Sequence, residues 1–219
     1  MSFAQYKPAF DRDGFVIVPE FLTPAVFAEL RCNLDRYIRD VVPTLDDAHA
    51  FYVVKGKPET LKQMQHMGHD PFFRDYVRQP KWLALAEALL AEPVEAQQPE
   101  WFDKPPGTGH PTPPHQDNYY FNLRPANVLT IWLAIDPVDD ENGCLQYVRG
   151  SHRGGVRPHG ASQIVGFSQG ITDFGPEDEA LEARIHLQPR DAVVHWGNTI
   201  HRAHPNRSRD RRRRTGPTR

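Results

Sequence analysis

Two cysteines, Cys32 and Cys144, in 219 residues leave no disulfide framework and no cysteine zinc knuckle. Reduced thiols are expected of such a chain, and with them a cytoplasmic setting. Long apolar runs are missing: none approaches the roughly 20 residues that cross a bilayer, and no N-terminal apolar leader is present. A soluble protein without a membrane partner is expected. Net charge is only −2, too little for a polyanion-binding surface, so nucleic acid is not expected as a partner; the one basic block is the C-terminal "RSRDRRRRTGPTR". No internal repeat is visible.

Proline is plentiful, at 21 residues, which favours loops and short strands over long helices. Hydrophobic content of 39% and charged content of 25% suffice for one core, and the length fits a single domain over 1–219.

The chain divides into a helical first part, 1–93, and an all-β body, 94–219. Phe15 to Val18 is a short β-type run. Thr23 is placed to cap a helix with Pro24 at its first position. Phe27, Leu30, Leu34, Ile38 and Val41 then recur at three- and four-residue steps, an amphipathic helix ending near Pro43. Residues 44–80 have no clean period. "KWLALAEALLAE", 81–92, is a second, strongly apolar helix stopped by Pro93. Beyond it, "PVEAQQPEWFDK", "NVLTIWLAID", "GCLQYVRGSH", "EARIHLQP" and "DAVVHWGN" are short runs between Pro, Gly, Asn and Asp clusters. Short strands without intervening helices predict a sandwich or barrel. Residues 150–180, Gly-rich and weakly patterned, read as a long loop.

Within this β body, "PTPPHQDNYYFNL" sets His115 and Asp117 two residues apart behind a stiff proline segment. In an extended segment i and i+2 point to one side, so both can face one metal while Gln116 points away. A lone His-x-Asp is weak. A distant second histidine would complete a two-His-one-carboxylate facial triad, which leaves part of an Fe(II) coordination sphere open. His195, His201 and His204, in "HWGNTIHRAHPNRS", compete for that place, and spacing alone does not choose.

Several ordered motifs resemble the phytanoyl-CoA dioxygenase family of Fe(II)- and 2-oxoglutarate-dependent oxygenases. They are "DRDGFVIVPEFLT", "FDKPPGTGHPTPPHQDNYYF", "LTIWLAIDPVDDENGCLQYVRGSHRGG" and "GNTIHRAHPNRSRDRR", and the match they mark out spans nearly the whole chain. The resemblance implies a double-stranded β-helix, the cupin-like jelly roll, flanked by helices. It implies His115, Asp117 and His201 as iron ligands and 2-oxoglutarate as cosubstrate with O₂. Arg212, eleven residues after the distal His, falls at the family's 2-oxoglutarate-binding Arg, with Arg211, Arg213 and Arg214 as neighbours in register. A guanidinium suits a carboxylate, which it meets with two parallel hydrogen bonds. Lys104 and Trp132 occupy family positions beside the cosubstrate.

The implied reaction converts 2-oxoglutarate to succinate and CO₂ and hydroxylates a small organic substrate. Related halogenases lack the carboxylate ligand, so Asp117 favours hydroxylation. Asn118, Tyr119 and Tyr120, with His152, His159 and the 150–180 loop, are the candidates for substrate contact. Two departures stand out. Many family members have Ser where this chain has Ala203. The family also continues past the Arg with an apolar strand, which "RRRRTGPTR" is not expected to form, so either the ending is truncated or altered or another segment supplies the missing strand. A monomer or weak homo-oligomer is expected. The rival readings are a non-catalytic metal-binding jelly roll and a zinc-dependent hydrolase, which would use the same three ligands.

Overall fold

The computed structural model describes all residues but 1, 108, 109, 122, 124, 165, 166, 210, 211, 218 and 219, and the backbone alone of 167 and 212–217. The first part contains α1 (Lys7–Asp13), β1 (Phe15–Val18), α2 (Pro24–Arg36), β2 (Ala50–Tyr52), β3 (Leu61–Met64), α3 (Pro71–Tyr76) and α4 (Pro80–Leu90). The body contains β4 (Pro99–Lys104), β5 (Thr112–His115), α5 (Asp117–Phe121), β6 (Leu129–Ala134), β7 (Leu145–Val148), β8 (His159–Ile164) and β9 (Phe167–Ile171). It closes with α6 (Pro176–Ala180), β10 (Glu182–Ile185), β11 (Ala192–Trp196), β12 (His201–Ala203) and β13 (Arg212–Pro217).

The strands form a seven-stranded sheet, β1-β11-β6-β13-β4-β3-β2, facing a four-stranded sheet, β10-β7-β12-β5, with β8-β9 as a separate hairpin. This is the jelly-roll arrangement. Its large sheet has two apolar faces because strand side chains alternate. Leu129, Ile131, Leu133, Ala192, Val194, Trp101 and Met64 point outward into one core with Leu30, Leu34, Trp82, Leu85 and Leu89 of α2 and α4. The residues between them, Trp132, Ala134 and Val193, point inward and pack with Leu145, Tyr147 and Ile185 of the small sheet.

The α2 start is as read: the Thr23 hydroxyl accepts from Val26 N at 3.4 Å with Pro24 first in the helix. The helix loosens into a wide turn over Tyr37–Val41 before Pro43. Three expectations are corrected. The first part is not only helical: β1, β2 and β3 are strands of the large sheet. The stretch 150–180 is not a structureless loop. Gly160 and Gly170 pair across β8 and β9, where their missing side chains lower strand propensity without stopping backbone pairing. Third, the arginine-rich ending is a strand. β13 pairs with β4 along its length and with β6 at Arg214 and Thr215. It fills the gap between two strands whose backbone groups would otherwise lack partners, a demand that outweighs poor strand composition.

Candidate metal centre

The small sheet sets the site. β12 lies between β5 and β7, with His201 opposite both His115 and Tyr147. His115 ends β5, and the chain turns at once into α5, whose first residue is Asp117. The two residues therefore do not sit on one continuous extended segment, as the i, i+2 argument supposed. The turn into α5 brings Asp117 Oδ1 to 3.7 Å from His115 Nε2 and 3.6 Å from His201 Nε2. These three residues form a group whose ligand atoms all lie within 4.8 Å of one another. His195 and His204 are outside it.

The tautomers suit a cation. His115 Nδ1 lies 2.8 Å from Pro113 O, and His201 Nδ1 lies 3.0 Å from Thr199 O. A carbonyl only accepts, so each Nδ1 carries the proton and each Nε2 turns its lone pair to the centre. Burial, the largest influence on both rings, pushes the His115 and His201 imidazoles below their ordinary value. Burial alone would raise the Asp117 carboxyl, but the facing His201 and the hydrogen bond from His195 outweigh it and hold it below the usual range. Two neutral imidazoles and a carboxylate at neutral pH are the donor set for Fe(II), with room left for exogenous ligands.

Behind the ligands lies a layer not foreseen from spacing. Asp117 Oδ2 accepts from Thr130 Oγ1 at 2.6 Å and lies 3.0 Å from His195 Nε2. His195 Nδ1 in turn lies 2.8 Å from the Tyr147 hydroxyl. With Nε2–H donating to the carboxylate, Nδ1 accepts from Tyr147. The available signal was a polar residue within each of two apolar strands, Thr130 in "VLTIWLAI" and His195 in "AVVHW".

Gln116 points away, as expected, and is fully buried. Its amide donates to Gly155 O at 2.8 Å and Asn198 O at 2.6 Å and accepts from Arg157 N at 2.8 Å, which clips the 150s segment to the strand ends. Asn118 does a similar job. Its side chain donates to Ala126 O at 3.0 Å and Asn198 Oδ1 at 2.7 Å. A Cβ at Gly197 would stand 2.3 Å from Asn118 Oδ1, so glycine is needed there for the approach. Tyr119 and Tyr120 donate their hydroxyls to Gln169 Oε1 and Gln169 O on β9. His159 stacks on Tyr119 at 4.0 Å between centroids. His152 lies apart, against Asp11 O at 3.2 Å.

Lys104 is buried on β4 and donates to Ala203 O at 3.0 Å and His204 O at 2.6 Å. It thus anchors the end of β12. Trp132 is buried on the inner face of β6, opposite Val193. The backbone of Arg212 pairs with that of Lys104; its side chain, like those of Arg213 and Arg214, lies outside the described residues, as does Arg211 altogether. Ala203 is buried in the inner core. A second group of donors, Asp140, Cys144 and His186, gathers at the far end of the small sheet. There Arg184 already meets Asp140 at 3.3 Å.

The phytanoyl-CoA dioxygenase family model matches residues 10–214. The chain belongs to the phytanoyl-CoA dioxygenase family. Bovine peroxisomal phytanoyl-CoA dioxygenase is 27% identical over 210 residues, covering 90% of this chain and 60% of the relative. The zebrafish phytanoyl-CoA dioxygenase domain-containing protein 1 is 30% identical over 173 residues, covering 74% and 57%. The chain thus spans about 60% of the length of the first of these relatives. Among solved structures, EvdO2 from Micromonospora carbonacea, complexed with 2-oxoglutarate, superposes with a TM-score of 0.75 at 28% identity, covering 98% of this chain and 89% of that one. The epimerase SnoN, in complex with Fe³⁺, alpha ketoglutarate and nogalamycin RO, shares the fold at a TM-score of 0.79 and 22% identity, covering 99% and 82%. Among the described residues of this family member, no helix is long and apolar enough to cross a membrane.

Proposed function

We propose that the protein is an Fe(II)- and 2-oxoglutarate-dependent dioxygenase that hydroxylates a small organic substrate with release of succinate and CO₂. The observation that carries this is the convergence of His115 Nε2, Asp117 Oδ1 and His201 Nε2 with both histidine tautomers set by backbone carbonyls. Iron, when bound there, would supply the redox chemistry that activates O₂. The chain's own contribution is placement. His115, Asp117 and His201 hold one face of the metal, and Thr130 and His195 keep Oδ2 of Asp117 occupied so that Oδ1 faces it. Lys104, Trp132 and Arg212 are assigned to 2-oxoglutarate. Support for Lys104 and Trp132 is their place on the inner face of the large sheet. For Arg212 it is the backbone register with Lys104.

Asn118, Tyr119 and Tyr120 are assigned to the substrate side. Their polar ends already bond to Asn198 and Gln169, so the part of the two tyrosines is to shape the pocket with ring faces and to hold β9 over it, and that of Asn118 is to fix the start of α5. The carboxylate of Asp117 favours hydroxylation over halogenation. The structural relatives include an epimerase and a carbocyclase, so product analysis decides the outcome class. We further assign the protein to a reducing, cytoplasmic setting as a monomer or weak homo-oligomer.

The test is anaerobic titration with Fe(II) and 2-oxoglutarate, read by the metal-to-ligand charge-transfer band. The band is expected in the wild-type protein and absent in His115→Ala and His201→Ala. A folded, iron-loaded wild-type protein that shows no band refutes the reading. A succinate-release screen over candidate substrates then identifies the hydroxylated product.

A further inference from the structure

Strand β4 carries a second polar feature beside the metal centre. Trp101 on β4 and Met64 on β3 point outward into the helix-covered core, and the two pair in register. Alternation therefore turns Glu100 and Phe102 inward, on the face that also carries Lys104, and Gln63, the cross-strand partner of Phe102, turns inward with them. There Glu100 lines a cavity of about 210 Å³ together with His66, Gln97, Gln98, Phe121, Leu123 and Val128. Phe121 is four residues after Asp117, at the end of α5, and the charge of Asp117 is felt at Glu100, so the cavity lies on the side of the metal centre.

Two acceptors meet here, Glu100 in the cavity lining and Gln63 behind it. Gln63 Nε2 donates to Glu100 Oε2 at a long 3.5 Å. Gln63 itself is 3% exposed, and its Oε1 is buried with no hydrogen-bond partner. Among the described residues no Lys or Arg lines the cavity. A buried acceptor without a donor is costly, as is a part-buried carboxyl that meets no cation among the described residues, so both call for an incoming group that donates hydrogen bonds and carries positive charge. Burial is also the largest influence raising the Glu100 carboxyl to about 7. Gln63 opposes the rise and the charge of Asp117 adds to it. A dicarboxylate does not fit, since two acceptors repel it. The feature therefore belongs to the primary substrate rather than to 2-oxoglutarate.

We infer that Glu100 and Gln63 form a subsite for a protonated amine of the primary substrate, with Phe121, Leu123 and Val128 holding the hydrocarbon body that carries it. The inference rests on the oxygenase reading for the word substrate, but the subsite itself does not need iron to bind its ligand. An ammonium offers three donors and a compact charge. It satisfies Glu100 and Gln63 Oε1 together, which a single hydroxyl does not.

The test uses a matched pair of probes, cyclohexylamine and cyclohexanol, with glucose as a polyol. Binding is measured by isothermal titration and saturation-transfer NMR at pH 8, in the purified protein with and without Fe(II) and 2-oxoglutarate under anaerobic conditions. Cyclohexylamine is expected to bind at least about tenfold tighter than cyclohexanol. Glu100→Gln, nearly the same size but uncharged, is expected to remove that advantage and leave cyclohexanol unchanged. Glu100→Asp, which keeps the charge, should retain part of it, and Gln63→Met should weaken the amine alone. Equal binding of amine and alcohol, unchanged amine binding in Glu100→Gln, or glucose binding in place of the amine overturns the inference. Amine binding that survives while the charge-transfer band is missing would sink the oxygenase reading and leave the subsite standing.

Discussion

Replacing His195 by Phe removes one of the two donors to Asp117 Oδ2, the contact at 3.0 Å, and leaves Thr130 at 2.6 Å as the other. A hydrogen bond to a charged group contributes about 1.5–3 kcal/mol. Loss of a partner behind a metal ligand typically weakens metal binding by roughly 10–100-fold, which is about 1.4–2.7 kcal/mol. The two scales agree, so Co(II), a non-oxidising substitute for Fe(II), is expected to bind His195→Phe about 10–100-fold more weakly by competition with a chromophoric chelator. The variant also takes the His195 contact, at 2.8 Å, from the hydroxyl of Tyr147, a residue of zero exposure. Loss of one buried hydrogen bond costs about 0.5–1.5 kcal/mol of stability. The double variant His195→Phe, Tyr147→Phe separates the two effects. It should regain melting temperature, because the hydroxyl that lost its His195 contact is gone, and should still bind Co(II) weakly, because Oδ2 still lacks one of its two donors. Wild-type Co(II) affinity in His195→Phe, or a double variant that regains affinity along with stability, would refute the claim that His195 positions Asp117.

Other outcomes follow from the same geometry. Lys104→Met should raise the Kd for 2-oxoglutarate in the charge-transfer titration and also lower the melting temperature, since Lys104 holds Ala203 O and His204 O; an unchanged melting temperature would count against its anchoring role. Gln116→Ala deletes three buried backbone contacts and should cost about 2–4 kcal/mol in urea unfolding at roughly 0.5–1.5 kcal/mol per bond, with hydrogen exchange accelerated over residues 151–158. Stability with pH should show two opposed trends. His115 and His201 fold with depressed values, so the unfolded chain binds more protons below about 6.5 and the metal-free protein loses stability as pH falls through that value. Glu100 folds with its value raised from 4.5 to about 7, so its contribution is present at low pH and is lost as pH rises across that window, by roughly 3 kcal/mol. Glu100→Gln should flatten this second trend alone in urea titrations at pH 5 and pH 8.

The grouping of the three candidate metal-binding residues was legible because its signal is local or ordered along the chain. His115 and Asp117 stand two apart, and His201 lies in a run whose trailing "HPNRS" matches the family pattern. Spacing alone did not separate His201 from His195; the strand register does, by setting His201 opposite His115 while His195 stands on the facing sheet. The Asp117 clamp was not legible, because Thr130, Tyr147 and His195 come from three strands whose meeting depends on long-range pairing. The same holds for Gln63 and Glu100, 37 residues apart in sequence. Asp117 was read as part of a strand because period two is assumed to persist, whereas the chain turns into α5 directly after Gln116. The segments 150–180 and 212–217 were misread for a shared reason. Composition reports what side chains favour, and these strands answer to backbone pairing with neighbours already in place.

That contrast bears on how the barrel interior divides its work. Along β6 and β11 the inner face is apolar at Trp132, Ala134 and Val193 and becomes polar at Thr130 and His195, directly beside Asp117. On β3 and β4 it is polar at Gln63, Glu100 and Lys104, all at least half-buried. Buried polar residues on strands cost stability unless each finds a partner. Thr130, His195 and Lys104 find theirs within the fold, at Asp117, Tyr147 and the end of β12. Gln63 Oε1 does not. An interior that satisfies its polar groups around the metal ligands and leaves an acceptor open beside Glu100 is built rigid where geometry must be held. It is left incomplete where a ligand is to enter.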